Sequence, residues 1–236
     1  MAKRQLRKER PKKQRHNEDK ILNRPEINYQ PKTQSQAELY YDLDHKSLVV
    51  ALGPAGTGKT YTCCMKAASW LSKGQINKII LTRANVPTGK SLGAVPGTLE
   101  EKLVPWMLPM TDVLRYGLGN GFYEYLVKNQ QIETVSIETI RGRSFKDAIV
   151  LVDEAQQLTI DEVKAITTRI GEGSVLVLMG DPKQSDLRTR SGLMQFVDLV
   201  EKHSPDGCSV TTFDLSDIVR SDTCAQMVRM FYKEGI

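Results

Sequence analysis

A chain of 236 residues, 40% hydrophobic and 26% charged, has the composition of a globular protein rather than a disordered, collagenous or disulfide-stapled one. No apolar run reaches bilayer length and the N-terminus carries no apolar signal core, so no membrane partner is expected and the cytoplasm is the expected compartment. The net charge of +5 is uneven: residues 1–24 hold ten Lys/Arg against three Asp/Glu, a formal +7, which leaves −2 from Pro25 onward.

The first 24 residues are rich in Lys, Arg and Gln and too poor in apolar side chains to offset the entropy of ordering, so a disordered arm is expected before a domain at 25–236. Such an arm can neutralise phosphates and strengthen nucleic-acid binding. A solvated tail is the equal alternative, since no aromatic residues are interleaved for base stacking. After Pro25, a short helical pattern runs through Leu39, Tyr40 and Leu43. Gln36 is the candidate reader of the adenine edge, because a glutamine offers one acceptor and one donor; Gln30 and Gln34 compete for that role.

The apolar run Ser47–Leu52 predicts a strand, and Gly53-Pro54-Ala55-Gly56-Thr57-Gly58-Lys59-Thr60 follows it and opens a helical pattern. This is the P-loop template in its required strand-before, helix-after context. Its glycines let successive N–H groups and the helix N-terminus face a polyphosphate. Lys59 is expected on the β- and γ-phosphates, and the Thr60 hydroxyl on Mg²⁺. Residues 53–60 with the adjoining Tyr61 form the expected ATP-binding set; an ordinary glycine turn is the competing reading. Thr88-Gly89-Lys90-Ser91 fails the same test because Ala84 stands where the first glycine belongs. Gly117–Gly121 is read as a flexible loop.

Cys64, Ala67, Ala68 and Leu71 recur at helical spacing up to Gly74, and Lys78–Thr82 reads as a second buried strand. That order argues for a right-handed crossover and a parallel sheet. From Arg83 to Gln130 the pattern loosens: a glycine-rich loop, a capping box at Thr98–Glu101, then Pro105 and Pro109 breaking the path. Trp106 is read as a packing residue rather than a base-stacking one. The four cysteines, Cys63, Cys64, Cys208 and Cys224, lack zinc spacing and are expected to be reduced and mostly buried.

Ile132–Ile137 is a third candidate strand, and Ala148–Val152 is the clearest, ending in Asp153-Glu154. Two carboxylates released by an aliphatic strand suit Mg²⁺-assisted hydrolysis, with Asp153 on the metal and Glu154 orienting or deprotonating water. A capping box at Thr159–Glu162 starts the next helix. Strand Val175–Met179 ends at Gly180-Asp181-Pro182-Lys183-Gln184, where Gln184 is the candidate sensor of γ-phosphate and water. Ser209–Leu215 supplies a last strand, and a final helix passes through Met227, Val228 and Phe231.

Pro31-Lys32-Thr33-x-x-Gln36, GPAGTGKT, IILTRANVPTGKSLGAVPGTLEEKLVPW, RGRSFKDAIVLVDEAQ, GDPKQSDL, SGL and DIVR together resemble the PhoH family of P-loop ATPases from about Pro31 to Ile236. The resemblance implies an α/β fold, a single RecA-like P-loop NTPase domain related to superfamily 1 helicase cores, with a mainly parallel sheet flanked by helices. It implies ATP binding and hydrolysis and assembly into hexameric rings, with RNA helicase or ribonuclease activity in some members. It also implies that the Gln184 strand lies between the P-loop and Asp153 strands, which puts Gln184 beside Lys59 and Glu154. On this resemblance Glu154 is the catalytic base, Asp153 the Walker B magnesium residue and Gln36 the adenine reader. Arg188 departs from the family pattern, where proline is common. With neither a KH extension nor a PIN nuclease domain, a compact member without a separate nuclease site is expected.

The expected function is therefore a Mg²⁺-dependent ATPase, helicase-like, coupled to RNA or single-stranded nucleic acid. An assembly switch without unwinding is the alternative, and a small-molecule kinase ranks below both. A single RecA-like domain lacks a second lobe, so an arginine finger from a neighbouring subunit is expected. Arg83, Arg190 and Arg220 are the candidates, with Arg220 counted among the expected catalytic residues.

Overall fold

The structure is a computed structural model that describes residues 24–84, 99–140, 142–187 and 190–234. The basic arm up to residue 23, the Thr88–Ser91 segment, the Thr98 cap and Arg188 lie outside the described residues. Six strands form one all-parallel sheet: β1 (Leu48–Leu52), β2 (Lys78–Arg83), β3 (Ile132–Thr134), β4 (Ala148–Asp153), β5 (Val175–Gly180) and β6 (Cys208–Thr212). Their order is β3-β2-β4-β5-β1-β6, with β5 between the P-loop strand and the Asp153 strand.

Parallel sheets are covered on both faces, so their strands read as continuous apolar runs. Alternation along each strand then sorts side chains between two cores. On one face Val49, Ala51, Ile79, Leu81, Leu151 and Val177 meet helices α1 (Gln34–His45), α2 (Lys59–Ser72) and α3 (Leu99–Leu118). Helix α4 (Asn120–Lys128) closes that layer through Tyr123 and Leu126. On the other face Val50, Leu52, Ile80, Val150 and Leu178 meet the short α5 (Ile137–Ile140), α6 (Ile160–Thr167) and α7 (Gly192–His203). Helix α8 (Asp222–Glu234) ends the described chain and buries only Ala225. Among the described residues no helix is long and apolar enough to cross a membrane.

Local signals place several boundaries. Thr33 caps α1 by accepting from Gln36 N, and Thr159 with Glu162 forms the expected capping box of α6. The third strand is shorter than expected: Ile132–Thr134 pairs with β2, and Ile137–Ile140 is a helical turn. The last strand stops at Thr212, and Leu215–Asp217 is a 3₁₀ turn.

Three expectations for the 83–130 region are corrected. Pro105 and Pro109 do not break the path; both lie inside the 20-residue α3. Each internal proline costs about 3 kcal/mol, but the two sit on the exposed side while Leu103, Met107, Met110, Leu114 and Leu118 form a buried stripe opposite. That burial, at about 1.5–3 kcal/mol per side chain, outweighs the prolines. Trp106 shares their exposed side and is 38% accessible, so it is not a core packing residue. Gly117–Gly121 is a junction of two helices, not a loop: an added Cβ at Gly117 would lie 3.2 Å from Met65 Sδ, and Gly119 at φ 75° precedes α4. All four cysteines are free, but only Cys63 and Cys64 are buried, and burial pushes both thiols up.

Candidate nucleotide site

The carboxyl ends of β1, β4 and β5 lie side by side, which is where open parallel sheets bind ligands. The β1 end enters the P-loop through Gly53 at φ 141°; a Cβ there would meet the Phe213 carbonyl oxygen and stand 2.7 Å from Phe213 Cβ. Gly56 and Gly58 follow at φ 84° and 87°, conformations that favour glycine. Within the loop Pro54 is buried and Ala55 exposed, and the buried Thr57 donates its hydroxyl to Pro54 O at 3.0 Å. The loop N–H groups and the start of α2 make an anion cradle.

Lys59 folds back on this cradle, donating to Gly53 O at 2.6 Å and Pro54 O at 2.8 Å. Burial lowers its pKa, opposed by Asp181, Asp153 and Glu154 nearby. Thr60 Oγ1 donates to Asp153 Oδ1 at 3.2 Å. Burial raises the Asp153 pKa, and Arg83 pulls it back. A hydroxyl and one carboxylate beside a phosphate cradle are the hard oxygen donors that a phosphate-bound Mg²⁺ uses. Thr60 and Asp153 therefore fit this ion.

Glu154 leaves β4 in the left-handed region at φ 53°, an uncommon conformation for a non-glycine residue that concentrates at functional sites. Its carboxylate is held on both oxygens: Arg83 Nη2 donates to Oε1 at 2.8 Å, and Gln156 Nε2 to Oε2 at 2.6 Å. The buried Gln156 also accepts from Asp181 N at 3.2 Å. Gly180 makes room for it, since a Cβ there would lie 2.7 Å from Gln156 Oε1.

The placement of Gln184 needs correction. It is exposed and donates to Asp181 Oδ2 at 2.8 Å; the glutamine that touches Glu154 is Gln156, because the turn after β4 folds back under β5. Gln36 is also placed differently from a residue presenting a free amide. It is 3% exposed, its Oε1 accepts from Lys32 N at 2.9 Å and Tyr29 Oη at 3.2 Å, and its Nε2 donates to Thr57 O at 2.8 Å. It ties the N-terminal segment to the P-loop. Tyr29 extends this network to Thr62 Oγ1 at 2.6 Å and packs against the exposed Tyr61 ring at 5.9 Å.

The three arginines separate. Arg220 lies over its own P-loop, its Cγ 2.8 Å from where a Gly56 Cβ would be, anchored by Val219 N to Gly56 O at 3.0 Å. Its stem thus packs against this chain's own P-loop. Arg190 pairs with Asp198 at 2.5 Å on α7, and Arg83 pairs with Glu154. Sequence reasoning passes over Gln156 and Asp181, although Asp181 directly follows β5 and Gln156 stands in the turn just after β4. It reaches Arg83 only as a finger candidate, because the place of that residue opposite Asp153 depends on β2 pairing with β4.

The PhoH-like protein family model matches residues 28–232. The PhoH-like protein of Bacillus subtilis (strain 168) is 39% identical over 206 residues, covering 86% of this chain and 64% of the relative. Protein PhoH of Escherichia coli (strain K12) is 34% identical over 203 residues, covering 84% and 57%. The chain thus spans roughly three-fifths of the length of these relatives. Among solved structures, the UvsW helicase from bacteriophage T4 matches with a TM-score of 0.47 and 15% identity, covering 85% of this chain and 67% of that one. The large terminase of a thermophilic bacteriophage matches with a TM-score of 0.49 and 15% identity, covering 85% and 51%. With a P-loop at the end of β1 and a family match across residues 28–232, the chain belongs to the PhoH-like protein family.

Proposed function

We propose that this protein is a Mg²⁺-dependent ATPase whose cycle remodels or moves along RNA or single-stranded nucleic acid. The observation that carries the reading is the convergence of Lys59, Thr60, Asp153 and Glu154 at one sheet edge, with Thr60 and Asp153 in contact. Lys59 leaves its loop carbonyls for the β- and γ-phosphates, Glu154 accepts a proton from the attacking water, and Arg220 brings positive charge over the loop. Thr60 and Asp153 would hold Mg²⁺, which when bound would supply charge neutralisation. With its stem over its own P-loop, Arg220 is the in-chain candidate for the charge that a finger from another subunit would otherwise supply. Self-association remains part of this reading, with the exposed Met227, Met230 and Phe231 of α8 offering an apolar face for it.

Steady-state ATP hydrolysis, with and without single-stranded RNA and DNA at several protein concentrations, tests the reading. Nucleic-acid stimulation is the expected outcome. Turnover indifferent to nucleic acid sinks the coupling and favours the second reading, an ATP-dependent assembly switch. That alternative draws on the occupation of both Glu154 oxygens by protein donors.

Base selectivity is expected to be weak. Both acceptor positions of Gln36 and one of its N–H groups are already used within the protein, so adenine N6 finds no free acceptor there. A site that hydrogen-bonds its substrate can reject an analogue by about 10⁴–10⁵, whereas shape alone gives about 10². The ratio of kcat/KM for ATP over GTP should fall in the lower range; a ratio near the upper one would mean that Gln36 reads the base.

A further inference from the structure

Glu154 is the proposed base, yet each of its carboxylate oxygens is directed at a protein donor rather than at water. The Arg83 guanidinium takes Oε1 at 2.8 Å, reaches Asp153 Oδ2 at 3.5 Å, and donates to the Trp106 carbonyl of α3 at 3.3 Å. Its position is dictated by the sheet: Arg83 is the last residue of β2 and stands in register with Asp153 at the end of β4. The pair is partly sheltered, with the Arg83 side chain 20% and that of Glu154 31% exposed, so solvent does not wholly screen it. On the other oxygen Gln156 is fixed by its own contact to Asp181. Arg83 instead reaches Glu154 from another strand on a long side chain that has further acceptors in Asp153 and the Trp106 carbonyl.

We propose that Arg83 is a positioning residue that parks the Glu154 carboxylate, and that freeing it from Arg83 limits unstimulated turnover. The inference rests on the reading of Glu154 as the base. A carboxylate oxygen bound to a guanidinium cannot at the same time take a proton from water along that direction, so the base acts only after the contact opens. The Trp106 carbonyl gives Arg83 an alternative acceptor on another element. Movement of α3 relative to β2 therefore changes how firmly Glu154 is held. Arginine suits this bridging because its planar fork serves several acceptors at once; lysine has one ammonium on a flexible stem.

The experiment compares wild type, Arg83→Gln, Arg83→Lys and Glu154→Gln in steady-state ATP hydrolysis at saturating Mg²⁺ without nucleic acid, with thermal melting as the check on folding. Arg83→Gln is expected to raise kcat about tenfold, the scale of losing one charge-assisted hydrogen bond, while KM for ATP stays within about twofold. Arg83→Lys should rise by less. An unchanged or lower kcat in either folded variant overturns the proposal, and a fall of about 10³ would make Arg83 a direct source of transition-state charge instead. If Arg83→Gln does not fold, Arg83→Lys alone decides by the direction of its kcat. Turnover in Glu154→Gln equal to wild type brings down the base reading and this proposal with it. An inactive Glu154→Gln beside slow Arg83 variants brings down the parking alone.

Discussion

Glu154→Gln is expected to lower kcat for ATP hydrolysis about 10²–10⁴-fold, the range for removing a positioned general base, and to leave nucleotide binding nearly intact. The substitution keeps the size and reach of the side chain, and its carbonyl oxygen can still accept from Arg83 or Gln156, whose contacts hold the carboxylate now. What it removes is the ability to take a proton. The phosphate cradle is built by other residues: Gly53, Gly56 and Gly58 with positive φ, Lys59 and the start of α2. Binding, measured by fluorescent-nucleotide titration, should therefore change by less than about threefold, within the spread of a single neutral hydrogen bond. Retained turnover would assign the water to another group. A large loss of binding would mean that Glu154 shapes the cradle itself.

Gly192→Ala should be among the most destabilising single-methyl substitutions in the chain, although residue 192 touches no catalytic group. Gly192 begins α7 and donates its N–H to Leu158 O at 2.8 Å. An added Cβ would fall on the Thr159 carbonyl carbon and the Ile160 nitrogen, and 2.5 Å from Thr159 O. These are backbone atoms at the capped start of α6, so no rotamer can relieve the overlap. Helices α6 and α7 would have to separate where Val163, Ile166, Leu193 and Val197 join one core. Overpacking costs about 1–3 kcal/mol and sometimes more; the upper end is expected here, lowering Tm by about 6–12 °C in a chain of this size. Gly121→Ala is the control. It lies in α4 with nothing within 4 Å of an added Cβ, and gains roughly 0.5 kcal/mol from helix propensity. Thermal melts of the two proteins should move in opposite directions.

Much of the site is written locally. A P-loop needs its glycines, lysine and threonine consecutive in the chain, so Gly53–Thr60 carries its own geometry. Asp153-Glu154 is legible for a similar reason, because a buried aliphatic strand has to release its polar residues at its end. Gln184 and Gln156 show where this logic stops. Both follow strand ends at short range, but the αL turn at Glu154 sends Gln156 beneath Gly180, while the turn at Pro182 leaves Gln184 exposed on Asp181.

Helix α3 shows a second limit. Pro105 and Pro109 read locally as breaks, yet the helix continues because five buried side chains on its opposite face decide the balance. Tertiary burial can override a local proline signal, and no window of sequence contains the surface those side chains meet.

The strands, the phosphate cradle, the capped start of α6 and the pair of acidic residues can all be read from the chain, because each depends on neighbours a few positions apart. Folding in three dimensions is what turns Arg83 toward Glu154, spends Gln36 on Thr57 O, and lays Arg220 over its own Gly56. These contacts join residues 71, 21 and 164 positions apart. Strand order and the packing of distant segments bring them together, and neither has a local signature in the chain.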